Sequence, residues 1–222
     1  MDIKICGLKT DDAVAAALKG GATHVGFIFF PKSPRYVETA EASRLAAAAR
    51  GTAKIAAVTV DLDDAALESI VSTLQPDILQ LHGSETPQRV RDVKERFGLP
   101  VMKALPISGP GDLAAVERYR AVADRLLLDA KPPKGAALPG GNGVAFDWRL
   151  LAALDDDVDY MLSGGLNADN IADALRAARP RGIDVSSGVE SAPGVKDIAR
   201  IASFFAAVRA AGGRPQAAGV LQ

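Results

Sequence analysis

The sequence predicts an α/β protein built as a single (β/α)8 barrel, the TIM-barrel architecture, and three observations carry that prediction. Eight short apolar runs rich in β-branched residues recur along the 222-residue chain. Segments whose apolar residues return at helical spacing separate them. No linker or shift in composition divides the chain into two units. Strict β–α alternation requires right-handed crossovers into a parallel sheet, which either closes or stays open. Eight repeats favour closure. An open, doubly wound sheet would be expected to show G-x-G-x-x-G after its first strand, and "DIKICGLKT" shows none.

In order, the runs are "DIKIC", "THVGFIFF", "AKIAAVTV", "DILQLH", "PVMKAL", "RLLLD", "VDYMLS" and "GIDVSS", each the length of a strand buried on both faces. Between them, Leu67, Ile70, Val71 and Leu74, and again Val90, Val93 and Phe97, fall on one side of a helix. Thr10 in "GLKTDDA" stands where a helix N-cap would, with acids behind it, and "LKGG" supplies the glycines that end a helix. Two segments fall outside the pattern. Residues 130–145, "AKPPKGAALPGGNGVA", are too long and too rich in Gly and Pro for a simple connection and form a candidate active-site loop. The tail "GGRPQAAGVLQ" has no periodicity, so the expected organisation is a barrel over 1–210 and a flexible tail over 211–222.

Composition narrows the partners. A net charge of −1, with no cluster of Lys and Arg interleaved with aromatics, argues against a nucleic-acid surface. No apolar run approaches the roughly 18 residues that cross a bilayer. Cys6 is the single cysteine, so no internal disulfide can form. The chain also begins without a signal-peptide pattern, and a cytoplasmic protein acting on a small molecule is expected. Whether it is a homodimer or a monomer stays open.

Active sites of such barrels lie where strands end and βα loops begin. Here the strand ends carry Cys6, His82, Asp129, Ser163, and Ser186 with Ser187. Cys6 is either a small buried hydrophobe or a reactive thiol at the barrel rim, with Gly7 allowing a sharp exit. Asp129 either caps a turn or works in the pocket, and His82 either makes one structural hydrogen bond or takes part in the chemistry. Arg35, in "PKSPRYV", is a solvated loop charge or a guanidinium aimed at a carboxylate or phosphate. "LSGGLNADN" and "DVSSGVE" place small residues after the seventh and eighth strands, where this fold often holds a phosphate on backbone N–H groups. A phosphorylated substrate follows.

Taken together, "KICGL", "GFIFFPKSPRYV", "LQLHG", "LLLD", "GGNGVAFDW", "SGGLN" and "DVSSGVE", in that order over residues 3 to 190, resemble the successive motifs of the phosphoribosylanthranilate isomerase family. The resemblance implies an Amadori rearrangement of an aminoaldose phosphate in tryptophan biosynthesis, with no metal or organic cofactor. It assigns Cys6 as general base, Asp129 as general acid and Arg35 as the partner of the anthranilate carboxylate. His82 becomes a further substrate contact, and Gly141, Gly164, Gly165, Asp184, Ser186, Ser187 and Gly188 become the phosphate loops. A thiolate suits the base role provided the local field lowers its pKa from about 8.5. Two positions depart from the family's usual pattern: Asn142 in "PGGNG", and "LKT" after the first strand. Two other classes compete, a Schiff-base aldolase with Lys103 of "PVMKAL" as nucleophile and a non-catalytic phosphate-binding barrel.

Overall fold

The computed structural model describes residues 1–132, 135, 140, 141, 143 and 145–212. Eight parallel strands close in sequence order into a barrel: β1 (Asp2–Cys6), β2 (His24–Ile28), β3 (Lys54–Thr59), β4 (Ile78–Leu81), β5 (Val101–Ile107), β6 (Arg125–Ala130), β7 (Tyr160–Leu162) and β8 (Gly182–Val185). Helices α1 (Asp11–Gly20), α2 (Thr39–Ala46), α3 (Asp64–Leu74), α4 (Pro87–Phe97), α5 (Ala114–Arg120), α6 (Ile171–Ala178) and α7 (Ile198–Ala210) stand outside it.

Local chemistry explains the boundaries. The Thr10 side chain accepts a hydrogen bond from the Ala13 N–H at the start of α1, and Gly21, at φ +101°, ends the helix in the left-handed conformation glycine adopts without strain. Asp63 and Thr86 cap α3 and α4 in the same manner. The sixth crossover differs. Among the described residues it holds a 3₁₀ segment, Trp148–Ala153, in place of an α-helix. Trp148, Leu151 and Leu154 recur every third residue, which is the 3₁₀ period.

Most of the core lies between the sheet and the helices, where Ile3, Phe27, Leu79, Leu105, Leu128 and Ile183 meet helix residues such as Val14, Leu45, Leu67 and Phe204. A second, smaller cluster fills the barrel interior: Ala56, Ile78, Met102, Ala104, Leu127 and Met161. Register fixes which residues share that interior. Cys6 pairs with Gly26, Gly26 with Ala56 and Ala56 with Ile78 along one row. Lys4 pairs with His24 and with Asp184, and Gln80 with Met102. The middle of the barrel is therefore apolar except where Lys4, Asp184 and Gln80 enter it.

After β8 the chain makes a 3₁₀ turn, Ser187–Val189, and then a short antiparallel hairpin of β9 (Glu190–Ala192) and β10 (Val195–Lys196), which the pattern of runs did not predict. Its Pro193-Gly194 turn is the signal that was there to be read.

Candidate active site

A cleft opens at the C-terminal end of the strands, and Cys6, Arg35, His82, Asp129, Gly141, Ser163, Gly164, Gly165, Asp184, Ser186 and Ser187 all line it. Eleven residues from six of the eight strands and the loops after them thus meet in one place, as the barrel topology requires of strand termini. Gly188 stands behind the wall instead. A Cβ there would run into the Leu166 carbonyl, so this glycine lets the loop after β8 pack on the loop after β7.

Cys6 ends β1 as a buried free thiol. A Cβ added to Gly26 on the next strand would lie 3.0 Å from the Cys6 sulfur and 3.1 Å from Lys4 Nζ, so this glycine leaves room for the two groups side by side. Lys4 is fully buried and donates to Asp184 Oδ1 at 2.9 Å. Burial pushes the Cys6 thiol up, more than the neighbouring Lys4 ammonium pulls it down. The expected lowering is therefore not the net effect: desolvation of a thiolate outweighs the attraction of an ammonium whose charge Asp184 already shares. Lys4 itself is held above the ordinary lysine range, because Asp184 and Cys6 favour its charge more than burial disfavours it.

Asp129 lies across the cleft on β6. Its Oδ1 accepts from the Ala130 N–H at 2.9 Å, and its Oδ2 lies 3.3 Å from His82 Nε2. The other ring nitrogen, Nδ1, is 2.9 Å from the Gln80 amide nitrogen. Gly140 covers this pair, since a Cβ there would lie 2.6 Å from His82 Nε2 and 2.7 Å from Asp129 Oδ2.

Between β7 and α6, Gly164 and Gly165 take φ of +89° and +66°, a backbone that only glycine enters without strain. The loop is closed behind them by the Asn170 side chain, which donates to the Gly165 carbonyl. With the Ser186–Ser187 turn these residues form the wall on which an anion would rest.

A model of the family described as N-(5'phosphoribosyl)anthranilate (PRA) isomerase matches residues 3–207. The chain belongs to that family. It is 71% identical over 211 residues to the N-(5'-phosphoribosyl)anthranilate isomerase of Mesorhizobium japonicum, covering 95% of this chain and 96% of the relative. Among solved structures, the phosphoribosyl anthranilate isomerase of Thermotoga maritima superposes with a TM-score of 0.85 at 33% identity, covering 95% of this chain and 99% of that one. A further phosphoribosyl anthranilate isomerase, solved in complex with reduced 1-(o-carboxyphenylamino)-1-deoxyribulose 5-phosphate, gives 0.82 at 32% identity with the same coverage. The protein is an isomerase.

In this barrel, Arg35 is less free than a loop arginine. Its Nε and Nη2 donate to the two carboxylate oxygens of Glu190 at 2.8 and 2.9 Å, and Nη2 also donates to the Gly141 carbonyl at 3.2 Å. Gly7 and Gly141, both at positive φ, flank the guanidinium and its stem, where a Cβ would lie 2.8 Å from Cδ and 2.5 Å from Nη1. Glu190 also accepts from Lys196 Nζ at 2.6 Å, and that ammonium donates to Ser186 as well. Burial alone would raise the Glu190 carboxyl, yet its two cations hold it below the usual range. Asp184, grouped with the phosphate loops by the resemblance, makes its side-chain contact with Lys4. Lys4, Gln80, Glu190 and Lys196 are the site residues that sequence reasoning did not single out. Lys4, Gln80 and Glu190 stood inside a strand run or motif, where nothing marked their direction, and Lys196 lay beyond the last motif.

Lys103 does not support the competing Schiff-base class. Its ammonium donates to the Leu81 and Gly83 carbonyls at 3.2 and 2.7 Å and to Glu85 Oε2 at 2.7 Å. All three of its donors are occupied outside the barrel interior, and its amine is not presented to the cleft. Asn142 lies outside the described residues, as do most of the segment 133–144 and the tail 213–222. No helix among the described residues is long and apolar enough to cross a membrane.

Proposed function

We propose that this isomerase converts N-(5-phosphoribosyl)anthranilate into 1-(2-carboxyphenylamino)-1-deoxyribulose 5-phosphate in tryptophan biosynthesis, with Asp129 as general acid and Cys6 as general base. One observation carries the reading: a thiol and a carboxylate line the same cleft, beside two small-residue loops suited to a phosphate. The related isomerase solved with a reduced carboxyphenylamino-deoxyribulose phosphate supports that ligand class.

The residues divide the work by their chemistry. Asp129, protonated, gives its proton to the ribose ring oxygen as the ring opens and the nitrogen lone pair forms an iminium. That cation acidifies the C2–H, which the Cys6 thiolate removes to give an enolamine. Tautomerisation then yields the aminoketone. Proton transfers alone accomplish this, so the proposed steps call for no metal or organic cofactor. Burial favours the protonated thiol, so the thiolate that acts as base is the less populated form of Cys6. Arg35 reaches the anthranilate carboxylate with the N–H donors that Glu190 leaves open. Gly141, Gly164, Gly165, Ser186 and Ser187 receive the phosphate, with Gly188 shaping their loop. The catalytic unit is the barrel of residues 1–210, and the cytoplasm is its proposed location.

Turnover of freshly prepared N-(5-phosphoribosyl)anthranilate is the test. Wild type is expected to convert it and Cys6→Ser and Asp129→Asn to fail; absence of wild-type turnover overturns the reading.

A further inference from the structure

Gln80 sits in the barrel interior at zero exposure, on β4, the strand that His82 directly follows. Its amide nitrogen is 2.9 Å from His82 Nδ1, while its amide oxygen is buried with no hydrogen-bond partner among the described residues. An unpartnered buried amide oxygen costs roughly 1–3 kcal/mol, and an apolar residue of the same length would avoid that penalty among Met102, Leu127 and their neighbours. The amide therefore owes its place to what it does for the imidazole.

An amide N–H can only donate, so His82 Nδ1 must accept, and the ring hydrogen sits on Nε2. The Nε2 edge of the ring lies 3.3 Å from Asp129 Oδ2, within reach of a hydrogen bond that a small rotation of the ring would complete. We infer that Gln80 is a positioning residue: it locks His82 in the Nε2–H tautomer, so that the imidazole stands as a fixed hydrogen-bond donor to Asp129. The inference rests on the reading of Asp129 as the acid.

The consequence is directional. With Nδ1 engaged by the amide and Nε2 already carrying hydrogen, the imidazole has no lone pair to offer Asp129. The acid cannot lose its proton sideways to the histidine. Asp129 Oδ1 accepts from the Ala130 N–H and Oδ2 lies 3.3 Å from His82 Nε2, and Asp129 itself lines the cleft in which substrate would take its proton. Once it is delivered, both N–H groups stabilise the carboxylate left behind, and no charge needs to move within the pair. Reversing the amide would undo this. Its oxygen would draw hydrogen onto Nδ1 and turn Nε2 into an acceptor competing for the acid's proton.

Because the chain holds two histidines, His24 and His82, imidazole ¹⁵N NMR reads the tautomer with little overlap, and His82→Asn assigns the signals. Wild type is expected to show His82 unprotonated at Nδ1 and protonated at Nε2. Gln80→Glu, whose carboxylate only accepts, should move hydrogen onto Nδ1. Gln80→Met, which keeps length and volume, should leave a mixture of tautomers. Both variants should lose about tenfold or more in kcat with KM little changed, against the 10²–10⁴ that general acid–base catalysis contributes. A wild-type His82 carrying its hydrogen on Nδ1, or an unchanged tautomer in both variants, overturns the inference. Neither result depends on turnover. Failure of the acid assignment would show instead as undiminished activity in Asp129→Asn.

Discussion

At the residue scale, the proposed base and acid are each supported from below by a buried polar group: Lys4 beside Cys6, and Gln80 behind His82 and Asp129. Cys6→Ser is expected to lower turnover by at least about a hundredfold while the fold persists. Asp129→Asn should abolish proton donation yet keep affinity for a product analogue, and loss of analogue binding with turnover intact would make Asp129 a positioning group. Lys4 offers a cleaner physical test, because Cys6 is the single thiol in the chain. The thiol is raised by burial and drawn down by Lys4, so alkylation by iodoacetamide should increase with pH through a midpoint above that of an ordinary cysteine. Lys4→Met removes the downward pull and should move the midpoint higher still. Since that substitution leaves Asp184 buried and unpaired, the pair Lys4→Met with Asp184→Asn separates thiol chemistry from instability. An unchanged midpoint in both variants would show that the ammonium does not act on the sulfur. Arg35→Ala is expected to weaken substrate binding, whereas an analogue lacking the carboxylate should bind wild type and variant alike.

At the scale of elements, loops rather than strands set the shape of the cleft. Gly164→Ala forces a Cβ against the Ala130 amide at 2.5 Å and puts alanine at φ +89°, so both terms oppose it. Gly188→Ala meets the Leu166 carbonyl and can be relieved only by moving the loop after β8 away from the loop after β7. Its expected signature is a raised KM for phosphorylated substrate, with a smaller change in binding of an analogue lacking the phosphate. Equal loss for both compounds would place the effect outside the proposed phosphate wall. The β9–β10 hairpin does comparable work on the other side. It carries Glu190 and Lys196, the first bound to Arg35 and the second to Ser186, and so links the loop after β2 to the loop after β8. Its Pro-Gly turn was visible in the sequence, but the pairing of Lys196 with residues ten positions back was not, because two and three residues per strand leave no periodicity to detect.

For the whole molecule, the two ends of the barrel have separate duties. The end opposite the cleft holds Asp2, His24, Lys54, Arg125 and Asp159, with Arg125 donating to both Asp2 and Asp159. Burial pushes His24 down to about 4, although Asp2 draws it the other way. Unfolding returns it to its ordinary value near 6.5, so between about 4 and 6.5 the unfolded chain binds the proton that the folded chain refuses. Stability from this group is thus full above 6.5 and declines as pH falls toward 4. His24→Asn, if it folds, should flatten that part of a plot of unfolding free energy against pH while leaving turnover near neutral pH unchanged; an unaltered slope would assign the effect to other groups. A chain ending at Gly212 keeps every described strand and helix and is expected to retain wild-type turnover, which is the direct test of a catalytic unit confined to the barrel.

Much of this protein was determined by the sequence alone. Eight apolar runs in register with helical segments specify alternating strands and helices, and handed crossovers leave a closed barrel as their arrangement. That topology then places the last residue of each run at one end, which is why Cys6, His82 and Asp129 could be named as neighbours before any coordinate was known. The direction of side chains within the runs was not determined. Lys4 in "DIKIC" and Lys103 in "PVMKAL" look alike, each a lone lysine in an apolar strand. In the structure Lys4 enters the barrel beside the thiol, whereas Lys103 turns outward to Glu85. A strand buried on both faces shows no alternation of apolar and polar residues, so its sequence carries no mark of which face is which. The register of the closed barrel supplies that mark. It alone decided that Lys4, Gln80 and Asp184 would lie beneath the cleft, and Lys103 would not.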